Sequence, residues 1–227
     1  MKSKQKRGVA PIGRAMRSLG SCMAVLMLLL SAGCLNLERK TPLFHYYLLE
    51  YEAPRISGLK PLKADIYVGR FVANAPYGSE LMIYRDKKYG RDAYLYHRWR
   101  TRPAEMTQGL LARDMRESRV FHRVYREFLP RTASYELRGV VEEFLERNSS
   151  GRREAVFRLR VMLSKYGESG EMKAPFFEKT YLAHQLLKQE NPPGLASGMS
   201  LALKEVSAVL IKDIHRVIER RATVGRP

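Results

Sequence analysis

Few residues in this chain can form covalent bonds or move protons, and their spacing limits what they can do. Only two thiols exist, Cys22 and Cys34. A hydrolase needs a nucleophile, a base and an orienting group that converge. Ser118 precedes His122 by one helical turn, and Ser134 and Ser164 fall in strand-like patterns, but no Gly-x-Ser-x-Gly elbow occurs. Glu142, Glu143 and Glu146 resemble paired carboxylates. On a strand, neighbours point to opposite faces, so Glu142 and Glu146 are expected to share a side without Glu143. Among so many arginines these acids read as solvated ion pairs rather than an acid–base couple. His45, His97, His122, His184 and His215 lack the spacing of a zinc site. Gly167 to Gly170 lacks the Gly-Lys-Ser/Thr that cradles phosphate. Trp99 reads as a core or edge anchor. The expectation is a protein that is not an enzyme, with no cofactor and no metal.

Cys34 remains, and its setting is specific. The apolar run Cys22 to Leu30 spans about 13 Å as a helix, against a hydrocarbon core of roughly 30 Å. Lys2, Lys4, Lys6, Arg7, Arg14 and Arg17 precede it, and no acidic residue occurs before Cys34. A basic stretch, a short apolar run and small residues before a break point make a secretory signal. Leu30-Ser31-Ala32-Gly33-Cys34 resembles the bacterial lipoprotein signal, Leu-(Ala/Ser)-(Gly/Ala)-Cys, at every position. The resemblance implies cleavage before Cys34, a thioether-linked diacylglycerol on its sulfur, and a further acyl chain on the freed amine. Position 35 is Leu rather than the Asp that retains such proteins at the inner membrane in the enterobacterial pattern, so the expected destination is the inner leaflet of the outer membrane. The mature domain would then face the periplasm without a disulfide, since Cys22 leaves and Cys34 is acylated.

The formal charge is +18, falling to +12 once the six basic residues before Cys34 are removed. Export argues against nucleic acid, and no zinc-finger spacing, basic heptad or aromatic-interleaved RNA motif is present. Anionic lipid head groups or an acidic partner fit better. Arg158 and Arg160 alternate along one strand and are candidates for such a face.

Three regions follow: a signal at 1–33, a lipidated tether at 34–43 and one domain at 44–221. Strands are expected at 44–51, 64–71, 81–85, 93–99, 135–146, 154–165 and 176–184. A short segment lies at 120–128, and the turn Asn148 to Gly151 closes the clearest hairpin. Met106, Leu110, Leu111 and Met115 predict a helix over 104–117. Pro192-Pro193-Gly194 reads as a stop, followed by a long helix at 196–220 with Met199, Leu203, Val206, Leu210, Asp213 and Val217 on one stripe. Asp213 breaks that stripe, and Ile214 is expected to take the buried place. The order predicts a single α/β domain with a mixed, largely antiparallel sheet packed by two main helices.

The lipid-modified cysteine, His45-Tyr46-Tyr47-Leu48-Leu49, Ile66-Tyr67-Val68-Gly69, Tyr96-His97-Arg98-Trp99, the 135–165 hairpin and the closing helix together resemble the ABC-type transport auxiliary lipoproteins, the PqiC-like group. That resemblance implies an outer-membrane-tethered accessory subunit of an Mce-type transport system moving lipids between membranes. Its implied partners are an Mce-type ring protein and an ABC permease and ATPase complex. The alternative is an envelope-assembly lipoprotein that activates or scaffolds a peptidoglycan or outer-membrane machine, although about seven residues of tether reach at most roughly 25 Å.

Overall fold

In the computed structural model, residues 42–128, 133–149, 151–167 and 169–224 are described. The chain divides after Pro42, and the domain proper is the unit Leu43–Pro227. The signal segment, Cys34 and the tether up to Thr41 lie outside the described residues.

The elements run β1 (His45–Tyr47), β2 (Leu62–Ala73), a 3-10 turn (Ala75–Tyr77), β3 (Leu81–Arg85), β4 (Asp92–Trp99), α1 (Pro103–Glu117), β5 (Phe121–Tyr125), β6 (Tyr135–Ser149), β7 (Arg152–Lys165), β8 (Phe177–Leu186) and α2 (Pro192–Val224). Eight strands form one mixed sheet. β6 is its hub: β7 lies antiparallel along one edge, while β2 and then β3 pair parallel along the other. β5 adds parallel to β2, β4 antiparallel to β3, and β1 parallel to β4. The long antiparallel β6–β7 and β7–β8 ladders carry most of the paired residues. The mixed, largely antiparallel sheet expected from the sequence is the one observed.

Alternation explains which face is covered. Phe157, Leu159, Val161 and Leu163 of β7 are fully buried, while Arg158, Arg160 and Met162 between them are half-buried on the opposite face. α1 packs on β2, β5 and β6, and α2 packs on β7 and β8, both on the apolar side. By length and hydropathy α2 could span a bilayer, but 67% of its apolar window is buried inside the domain. It is a core helix.

Three differences from the sequence reading have clear causes. The strand expected at 44–51 pairs for only three residues. Beyond Tyr47 the chain leaves the sheet and straps across the helices: Leu49 enters the core, the Glu50 amide donates to Ser200 Oγ, and the Tyr51 hydroxyl donates to Asp114. At Pro192 the helix starts rather than stops. Prolines suit a first turn, whose amides have no intrahelical acceptor, and Asn191 Oδ1 caps the Gly194 amide at 2.9 Å. On α2 both Ile214 and Asp213 turn inward, and Ile218 replaces the half-buried Val217 at the end of the stripe.

β6 passes close to β2 because Gly139 has no side chain: a Cβ there would sit 2.5 Å from the Phe71 ring. Phe71 is itself buried, so the ring has little room to move. Gly139→Ala is expected to lower unfolding free energy by about 1–3 kcal/mol through overpacking. Gly78→Ala, where a Cβ meets nothing nearer than 3.6 Å, should be close to neutral. Urea denaturation of the two variants checks the contrast.

Candidate functional site

The helix-free face of the sheet is charged, and its charges are largely satisfied at home. Arg158 pairs with Glu143 at 3.0 Å, Arg160 bridges Glu142 and Glu178 at 2.8 and 3.1 Å, and Arg147 pairs with Glu154 at 2.6 Å. Glu142 and Glu143 therefore point the same way, contrary to the strand rule applied above. A register slip between Val141 and Glu143 is the reason: a β-bulge places two successive residues opposite one and resets the alternation. Glu146 consequently turns to the other face, where it is buried between the Tyr94 hydroxyl and Arg153. The three acids do not act as a group.

Near the start of β6 the open face holds a cleft of about 700 Å³, lined by Tyr67, Arg70, Val72, Arg138, Val140, Met162, Tyr166 and Met172 among others. At its floor the buried Glu136 carboxylate receives Arg138 Nε at 2.7 Å and the Tyr166 hydroxyl. Gly69 makes the room, since a Cβ there would stand 2.4 Å from Glu136 Oε1. The cleft mixes aromatic and thioether surface with guanidinium at its rim, which suits an amphiphile or a partner side chain better than a reacting carbonyl.

The other residues considered for chemistry do not converge. The Ser118 hydroxyl donates to the Met115 carbonyl at the end of α1, whereas His122 meets Asp65 at 2.7 Å on the sheet edge. Ser164 is buried in β7 opposite Glu136. Trp99 is fully buried and meets Phe144 edge-on at 5.2 Å, the core anchor expected of it. His215 is buried in α2 and bonded to the Lys60 carbonyl. His184 lies beside Arg147 and Glu154 on the open face. Among the described residues, no group of three His, Cys, Asp or Glu is placed to hold a metal ion.

At the far edge of the sheet, β1 and β4 form an aromatic corner that sequence reasoning had not set apart. His45 stacks on His97 at 5.3 Å, and Tyr47 bonds His97 Nδ1 at 2.9 Å. Partial burial first, and then the neighbouring His45 and Arg98, lower the His97 pKa. On the outer side Phe44 meets Tyr96 edge-on at 6.2 Å, the Arg98 guanidinium lies over Phe44 at 5.3 Å, and Arg100 lies over Tyr46 at 5.2 Å. The signal was present in Phe44 to Tyr47 and Tyr94 to Arg100, but only parallel pairing of β1 with β4 brings the two stretches together.

Four tyrosines share one setting. Tyr51, Tyr94, Tyr166 and Tyr181 each donate to a buried carboxylate: Asp114, Glu146, Glu136 and Asp213. Burial first, and then the adjacent negative charge, pushes all four phenols far above their ordinary range. A group held protonated in the folded chain contributes stability that is complete below its unfolded pKa, here about 10, and is withdrawn as pH rises through the folded value. Tm should hold steady between about pH 7 and 9 and fall above about pH 10, more steeply than ionisation of exposed tyrosines alone would produce. Tyr181→Phe should flatten that alkaline limb and cost about 1–3 kcal/mol at neutral pH, because Asp213 loses a donor. Thermal melts across pH check both.

No protein-family model matches the chain, and no curated protein matches it. Solved structures do. A crystal structure from Xanthomonas campestris, of a protein assigned to the family model DUF330, superposes with a TM-score of 0.71 at 14% identity, covering 79% of this chain and 99% of that one. A second crystal structure, described only as an uncharacterized protein, gives a TM-score of 0.59 at 12% identity over 76% of this chain and 99% of that one. At these identities the likeness is one of fold, and it spans nearly the whole of both neighbours.

Proposed function

We propose that this protein is an envelope lipoprotein, held to the inner leaflet of the outer membrane through an acylated Cys34, whose folded domain serves as a non-catalytic accessory subunit of an Mce-type ABC system moving lipids between membranes. The observation that carries the reading is the complete Leu30-Ser31-Ala32-Gly33-Cys34 pattern behind a basic, short apolar leader, set directly before a domain of the DUF330 fold. Several features support it. The mature chain is basic, the open sheet face carries a cleft with apolar walls and a guanidinium rim, and the serine and histidine side chains considered for hydrolysis are engaged elsewhere. The transport role itself comes from the family resemblance of the sequence. In it the domain docks the Mce-type ring protein and its permease and ATPase complex, while the acyl chains hold it at the membrane. One chain alone binds only marginally, at about 0.8 kcal/mol per buried CH₂, whereas two or more anchor stably.

Metabolic labelling with a palmitate analogue tests the anchor: wild type should be labelled and fractionate with the outer membrane. Cys34→Ser should abolish the label and leave the protein uncleaved in the inner membrane or free in the periplasm. Leu35→Asp should keep the label and move the protein to the inner membrane. An unlabelled wild type overturns the anchor. Affinity purification of the labelled protein should recover an Mce-type ring protein, and its absence from crosslinked envelopes overturns the transport assignment alone.

A further inference from the structure

The aromatic corner of β1 and β4 is where the domain's apolar surface and uncommitted positive charge coincide. Phe44 (40% exposed), Tyr46 (51%), Leu48 (47%) and Tyr96 (44%) are large side chains left open to solvent at one sheet edge. Phe44 and Tyr46 sit under Arg98 and Arg100. These two arginines differ from those of the open face. Arg147, Arg158 and Arg160 each hold a carboxylate, whereas among the described residues neither Arg98 nor Arg100 has an acidic group within ion-pairing distance. Charge that is internally neutralised offers little to a partner. Guanidinium stacked on an exposed ring, with no carboxylate to neutralise it, offers both a cation and an amphipathic surface.

We propose that this corner is a membrane-facing surface that rests on anionic phospholipid, with Arg98 and Arg100 at the level of the phosphates and Phe44, Tyr46 and Tyr96 at the head-group boundary. The proposal rests on the lipid-anchor reading of Cys34. The patch begins where the tether ends: about nine residues separate Leu43 from Cys34, at most roughly 30 Å of chain. A surface on the first described residues after the anchor is the part of the domain with the least freedom to leave the bilayer. Tyrosine and arginine are suited to that boundary, one end apolar and the other wet, and the basic charge complements an anionic leaflet. The anchor and the patch then act together, because a tethered domain meets its own membrane at high effective concentration.

The test is hydrogen exchange on the mature protein as purified from cell envelopes, reconstituted into vesicles of phosphatidylethanolamine with phosphatidylglycerol or of phosphatidylcholine alone. Amides of residues 43–48 and 95–100 should exchange more slowly in the anionic vesicles, and added salt should restore their exchange. Arg98 also donates to the Tyr94 and His97 carbonyls and braces β4, so the variants are Arg100→Gln and, separately, Tyr46→Ser. Arg100→Gln should lower the docked population roughly fivefold, the contribution of one cation beside an anionic surface. Arg158→Gln with Arg160→Gln, on the self-paired face, should leave protection unchanged. Equal exchange in both vesicle types, or protection lost only with the Arg158/Arg160 pair, overturns the proposal. Protection that depends on added envelope protein rather than on phosphatidylglycerol also overturns it, as a protein would then cover the patch. Mass analysis of the N-terminal peptide separates the two readings. An unmodified Cys34 with protection intact refutes the anchor and upholds the patch, and an acylated Cys34 without protection does the reverse.

Discussion

Among the described residues, four carboxylates lie inside this domain, and the way each is satisfied determines how its layers meet. An unpaired buried carboxylate costs several kcal/mol. Asp114, Glu136, Glu146 and Asp213 all meet that cost in one manner, with a tyrosine hydroxyl and a basic side chain: Tyr51 and Arg113, Tyr166 and Arg138, Tyr94 and Arg153, Tyr181 and Lys179. Apolar burial supplies most of the driving force but is non-directional. These triads supply direction. One ties the strap after β1 to α1, one ties β4 to β6 and β7, one ties β8 to α2, and one closes the end of β7 onto β6. Each joins segments that the apolar face alone would leave free to slide.

The same economy governs the surface. The chain carries a large excess of basic residues, and composition alone would spread positive potential over the whole domain. Instead, the long hairpin spends its arginines on its own glutamates, across strands and within hydrogen-bonding distance. Exposed pairs of this kind add little to stability. Their effect is to quieten the sheet face, so that approach by an anionic partner is decided at positions lacking an acidic neighbour. Arg98 and Arg100 on their aromatic rings are two such positions, beside the first strand of the sheet.

Periodicity made the fold legible. β7, α1 and the core of α2 follow directly from spacing in the sequence, because their buried faces are continuous and a period of 2 or 3.6 leaves no other reading. Three things escaped for physical reasons. The bulge at Glu142 is a one-residue insertion in hydrogen-bonding register, and a carboxylate shows no compositional mark of it. The strap at 48–54 looks strand-like because Leu49 and Tyr51 alternate with Glu50 and Glu52, yet its amide and hydroxyl partners, Ser200 and Asp114, lie far away in sequence. Asp213 breaks the apolar stripe of α2 only until Lys179 and Tyr181 of β8 arrive beside it. The missed start of α2 is different: Asn191 before two prolines is a readable N-cap, overridden by treating proline as a breaker.

What was legible about function divides along the same line. The five residues that resemble an acylation signal are local, and that resemblance is legible without a fold. The corner of β1 and β4 is non-local: Phe44, Tyr46, Arg98 and Arg100 lie more than fifty residues apart, and neither stretch alone distinguishes an exposed aromatic from a core one. Parallel pairing of His45 with His97 sets them side by side, and the Tyr47 hydroxyl, bonded to His97 Nδ1, fixes the ring in that stack. His45 and Tyr47 lie on the face of β1 that pairs beside the buried Trp99, so the alternation of the strand leaves Phe44 and Tyr46 on the opposite face, open to solvent.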